Sequence, residues 1–196
     1  MLKHILIHLT CLLCGLSLNG QDLNMTPIQI IESIIQQKQD SMRIYYYDSI
    51  ATEYNVAEIK NTLADRKFKS MFADTNANNT ITLTKAELKY IYDQLDSLHT
   101  HLWPKDLFSN STLVSHDSIG KMIFDEIEKA NRLTWNPRTG MQIWEFTYPI
   151  FIRENNFFLV FTQYICGSLC GYSELCFYKK IESNWKKWIT VSAGVF

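Results

Sequence analysis

Cys166, Cys170 and Cys176 stand close together in ICGSLCGYSELC (165–176), and cysteines this dense can ligate a metal, exchange electrons or cross-link. Structural zinc takes four Cys or His ligands. The histidines His99, His101 and His116 all lie far upstream, so a metal site needs long-range assembly. Redox catalysis favours C-x-x-C with the reactive thiol at a helix N-terminus, whereas here the spacing is C-x-x-x-C within a strand turn. If that hairpin turns about Ser168, Cys166 lies opposite Cys170, at the roughly 4.5–5.5 Å separation a disulfide spans. Gly167 and Gly171 ease so small a ring. A structural Cys166–Cys170 disulfide is therefore the expectation, with unpaired buried thiols and metal or redox chemistry as the alternatives. Cys176 is left over as a buried apolar filler.

Other side chains offer weaker chemistry. Glu145 and Glu174 are single acids inside apolar strands, placed to act as an acid or base in a pocket or, more simply, to face outward or pair with a sheet lysine. His99-x-His101 has no acidic or cysteine companion nearby and reads as the solvated end of a helix. There is no P-loop, dinucleotide fingerprint, HExxH or nucleophile elbow. No metal site and no cofactor is expected. Trp185 and Trp188 fall on opposite faces of the last strand, and exposed indoles stack on sugars or anchor a protein. With Tyr172 and the two strand acids Glu174 and Glu145, they are the candidate binding residues.

Charge narrows the partners. The formal net charge is −1, with 19 basic and 20 acidic residues. No basic stripe is present, so neither nucleic acid nor an anionic membrane surface is an expected partner. MLKHILIHLTCLLCGLSLNG (1–20) has one lysine, an apolar run and a terminal small residue, the layout of a signal peptide removed on export. No later segment is long and apolar enough to span a bilayer. Residues 21–196 are expected to form one domain, periplasmic or secreted.

The elements that must position these residues follow from pattern. Thr26-Pro27 with Gln29 is a capping box before a helix whose apolar face carries Ile28, Ile31 and Ile35. RIYYYDSI reads as a strand, Val56, Ile59 and Leu63 as a short helix, and RKFKSMF as a strand. DTNANNTITLTKAEL begins like a calcium loop, with Asp74, Asn76 and Asn78, but Lys85 stands where a bidentate Glu is needed. It reads better as a turn, a strand over 80–83 and a helix capped by Thr84 and Glu87, carrying Leu88, Ile91, Leu95 and Leu98. Ser115 caps a further helix with Ile119, Met122, Ile123, Ile127 and Ala130, and NPRTG (136–140) breaks the chain. Beyond it MQIWEFTYPIFI, FFLVFTQYIC, SELCFYKKI and WKKWITVSAGVF are four strands with short connectors, with Pro149 marking an edge or bulge. The expected fold is α+β: N-terminal amphipathic helices packed on a C-terminal four-stranded antiparallel meander.

CGSLCG, then an apolar strand ending FYKK and a short turn into NWKKW, resembles the C-terminal signature of uncharacterised exported proteins of Bacteroidota; LTKAELKYI resembles a second element of that family. The resemblance implies export and carries no activity. The function expected is therefore a non-catalytic envelope or extracellular interaction module with an unknown protein or glycan partner. The alternatives are a small hydrolase-type enzyme built from Glu145 or Glu174 with a distant histidine, and a soluble glycan- or peptide-binding domain.

Overall fold

The structure, a computed structural model, describes residues 25–38, 44–50, 52–71, 79–98, 100–115, 118, 121, 142–167, 170–182 and 184–195. The leader, the start of the calcium-like loop at 74–78, the expected helix after Ser115 apart from Ser118 and Lys121, and the NPRTG break lie outside the described residues.

Three helices are described: α1 (Pro27–Lys38), α2 (Glu53–Leu63) and α3 (Lys85–Leu98). Each starts where a side chain takes over an orphan amide. The Thr26 hydroxyl accepts from the Gln29 amide at 3.3 Å and Gln29 Oε1 accepts from the Thr26 amide at 2.8 Å. Thr52 caps α2 by accepting from the Asn55 amide at 3.2 Å. At α3 the Thr84 hydroxyl accepts from the Glu87 amide at 3.1 Å, and Glu87 answers the Thr84 amide at 2.8 Å. A cap of this kind contributes about 1 kcal/mol.

The strands are β1 (Ile44–Tyr47), β2 (Lys67–Lys69), β3 (Thr80–Thr82), β4 (Ser111–Val114), β5 (Ile143–Phe146), β6 (Ile150–Ile152), β7 (Phe157–Gly167), β8 (Cys170–Ile181) and β9 (Asn184–Val195). They overturn the four-stranded meander. The main sheet has seven strands in the order β4-β1-β5-β7-β8-β9, with β6 also paired to β7, and it is mixed. β1 runs parallel to both β4 and β5, while β5 through β9 pair antiparallel. The expected strand MQIWEFTYPIFI is two strands, because Pro149 has no amide for the ladder; β5 and β6 pair with successive stretches of β7. β2 and β3 form a separate antiparallel ribbon.

Both faces of the sheet are covered. On the first face, Ile30 and Ile34 of α1 pack on Phe158, Val160, Cys176 and Tyr178, and Ile31 and Ile35 pack with Tyr46, Trp103, Trp144 and Phe146. Four isoleucines buried on one twelve-residue helix contribute about 6–12 kcal/mol of gross burial, which holds a helix too short to persist alone. On the second face, α2, α3 and the β2–β3 ribbon cover Leu159, Phe161, Leu175, Phe177 and Ile189. Opposing strand residues match the expected pairing, with Val160 opposite Cys176 and Tyr164 opposite Tyr172.

Candidate functional site

Around the expected disulfide the register shifts. Ile165 pairs with Gly171, but Gly167 pairs with Cys170, so Cys166 is the extra residue of a β-bulge and is not opposite Cys170. Cys166 is disulfide-bonded, and the side chain of Cys170 lies outside the described residues. Cys176 is a free, buried thiol. It contacts the Thr190 hydroxyl at 3.7 Å, and burial pushes its pKa up to about 11, which keeps it protonated and unreactive at neutral pH.

Glu174 is a buried, densely bonded acid of the sheet. It is 2% exposed and sits on the first face between Tyr172 and Cys176. Lys38, in the last turn of α1, bonds Oε1; Lys187 of β9 bonds Oε2 at 2.7 Å, and the Tyr172 hydroxyl donates to Oε2 at 2.8 Å. The Lys38 ammonium also lies 5.1 Å from the Tyr172 ring centre. Burial works to raise the pKa of Glu174, but the hydrogen bonds and charges of Lys187 and Lys38 outweigh it and hold the carboxyl below its ordinary range. Burial conversely lowers the pKa of Lys38. Thr162, directly across from Glu174 on β7, is buried with no partner for its hydroxyl among the described residues.

Glu145 lies on the other side of the same sheet. It is 4% exposed, and Asn55, at the start of α2, donates to Oε1 at 2.5 Å. That position near a helix N-terminus favours a carboxylate. Tyr47, on the adjacent strand, has its pKa raised to about 12 by burial first and the Glu145 charge second.

The two strand acids therefore occupy opposite faces and cannot act as a pair. The structure does not bring His101 to either, since its ring bonds the Ser97 carbonyl at the end of α3 at 2.6 Å. His99 and His116 lie outside the described residues. Among the described residues, no three His, Cys, Asp or Glu side chains gather to hold a metal ion. Trp185 packs into the first-face core, 4.7 Å from Phe158 and 5.8 Å from Phe151. Trp188 packs on the second face, 5.0 Å from Phe157. Each indole is partly exposed. Lys187 is a sheet lysine of the kind expected to pair with a strand acid, whereas Lys38 and Asn55 were not foreseen: Lys38 is 136 positions from Glu174, and no local pattern links them.

No helix of the described residues is long and apolar enough to cross a membrane. Comparison with protein-family models, curated proteins and solved structures finds no match to this chain.

Proposed function

We propose that the protein is an exported, non-catalytic interaction module of the envelope or extracellular space, like the Bacteroidota proteins its C-terminal signature resembles. The observation that carries this reading is the state of Glu174. An acid–base catalyst needs a carboxyl whose proton can move near the working pH. Glu174 has both oxygens bonded, two by cations and one also by Tyr172, and a pKa held down. It ties α1 to the sheet and is suited to scaffolding. Glu145 is likewise committed to Asn55.

The test is turnover. The purified protein, screened against ester, peptide and glycoside substrates, is expected to show no activity above buffer. Saturable turnover abolished by Glu145→Gln or Glu174→Gln, with the circular dichroism spectrum unchanged, overturns the reading.

Export implies an oxidising compartment, and the proposed partner of Cys166 is Cys170: its strand position adjoins Gly167, and Cys176 is free. Thiol counting by mass spectrometry on protein lacking the leader is expected to find one free thiol. Three would remove both the pairing and its support for export.

A further inference from the structure

We infer that the second face of the β7–β8–β9 end binds an acidic polysaccharide, an inference that rests on the interaction-module reading. Lys179 and Lys186 sit directly opposite each other across β8 and β9. Like charges facing across a ladder are destabilising. Neither lysine makes an ion pair among the described residues. Edge protection accounts for a lysine on β9, which ends the sheet. It does not account for Lys179, which lies on the interior strand β8. β2 lies against β9 and carries Lys67 and Lys69, both exposed and also without an ion pair among the described residues.

Beside the lysines is an aromatic floor. Phe157 and Trp188 are 5.0 Å apart, and the Lys179 ammonium lies 5.8 Å and 5.4 Å from their ring centres. Trp188 is the extra residue of a bulge, between Lys187 opposite Tyr178 and Ile189 opposite Phe177. Bulges of this kind re-aim a side chain. Arg153 also lies over Phe157, 5.4 Å from its ring centre, while bonded to Glu87 at 2.8 Å. Arg153 opens a turn in which Arg153, Glu154 and Asn155 all have left-handed backbones, φ 53, 55 and 61. Such a conformation costs about 1–2 kcal/mol per residue, and strain of this kind persists where it fixes a functional position.

The lysine ammonium groups and the indole N–H are donors without acceptor capacity. An acidic polysaccharide supplies anionic acceptors for them and C–H ring faces for the aromatics. An acidic peptide also brings backbone N–H groups, for which the lysine and indole donors of this face offer no acceptor.

The experiment measures binding of the full protein to polygalacturonate and to dextran sulfate, by affinity electrophoresis and calorimetry, against neutral dextran, poly-L-glutamate and a DNA oligonucleotide. Both acidic polysaccharides, or either one, are expected to bind, with dextran inert and the other two polyanions at least tenfold weaker. Lys179→Gln with Lys186→Gln is expected to weaken binding at least tenfold, whereas Lys89→Gln on α3 leaves it unchanged. Trp188→Phe is expected to weaken binding without loss of the fold. Failure to bind either polysaccharide, equal binding of poly-L-glutamate or DNA, or an unaffected double lysine variant overturns the inference. New reducing ends released from a bound polymer would overturn the non-catalytic reading instead, while the binding comparisons still judge the surface.

Discussion

Glu174→Ala is expected to lower the unfolding free energy by about 2–3 kcal/mol in urea denaturation, because it removes the charged hydrogen bonds of Lys38 and Lys187 and leaves both, still partly solvated, without a counter-charge. The loss comes from stranding two ammonium groups. The net worth of the intact cluster is a different quantity, since desolvating three charges costs much of what their attraction returns. Replacing all three residues by apolar ones, Glu174→Leu with Lys38→Met and Lys187→Met, should therefore recover much of the stability lost by Glu174→Ala alone. A triple variant as unstable as the single one would show that packing, not charge, is at stake. The pH dependence has a definite sign. Glu174 has a folded pKa below its ordinary 4.5, so its stabilisation is complete above about that pH and is lost as pH falls through the folded value. Glu174→Gln should show a shallower loss of stability below pH 4.5, with the remaining slope due in part to Glu87, whose pKa is lowered first by its bond from Arg153. An identical slope in the two proteins contradicts this.

Trp103→Ala is expected to cost about 3–5 kcal/mol, as for large aromatic truncations in a core. Trp103 is 3% exposed and sits 4.9 Å from Phe146 and 4.4 Å from Tyr148. Its amide donates to the Asp48 carbonyl at 2.7 Å, joining the loop after α3 to the end of β1. The same loop is held by Tyr46, whose hydroxyl donates to the Pro104 carbonyl at 2.8 Å and accepts from the Leu107 amide at 3.0 Å. Removing the indole leaves a cavity against Phe146 that this anchored loop cannot collapse into. A loss under about 1 kcal/mol by denaturation would mean that the loop is free to close the gap.

What could be read from the sequence was what neighbouring residues decide. Thr26 with Gln29 and Thr84 with Glu87 are three positions apart, so each helix start carries its own chemistry. The β7–β8 register followed from alternation about a tight turn, up to the bulge at Cys166. The seven-stranded sheet was missed because β1, β4 and β5 pair in parallel. Parallel strands need long crossovers and leave no turn signature, and β4, Ser111–Val114, is four residues in a stretch without clear alternation. The Glu174 cluster was half visible: an acid in an apolar strand predicts a lysine, but only the docking of α1 supplies Lys38. For Trp185 and Trp188, alternation gave the opposite faces, while their degree of cover depends on Phe158 and Phe157, which only the folded sheet brings near.

The parallel seam between β1 and β5 has a consequence for the order in which this chain can assemble. Tyr45 and Tyr46 find their partners in Ile143 and Trp144, and Ile30 and Ile34 of α1 are covered by β7 and β8. Closure of such long loops must precede any reward from the contacts they allow. β1 and the Ile30 and Ile34 side of α1 therefore stay uncovered by the sheet until residues 143–178 have been synthesised.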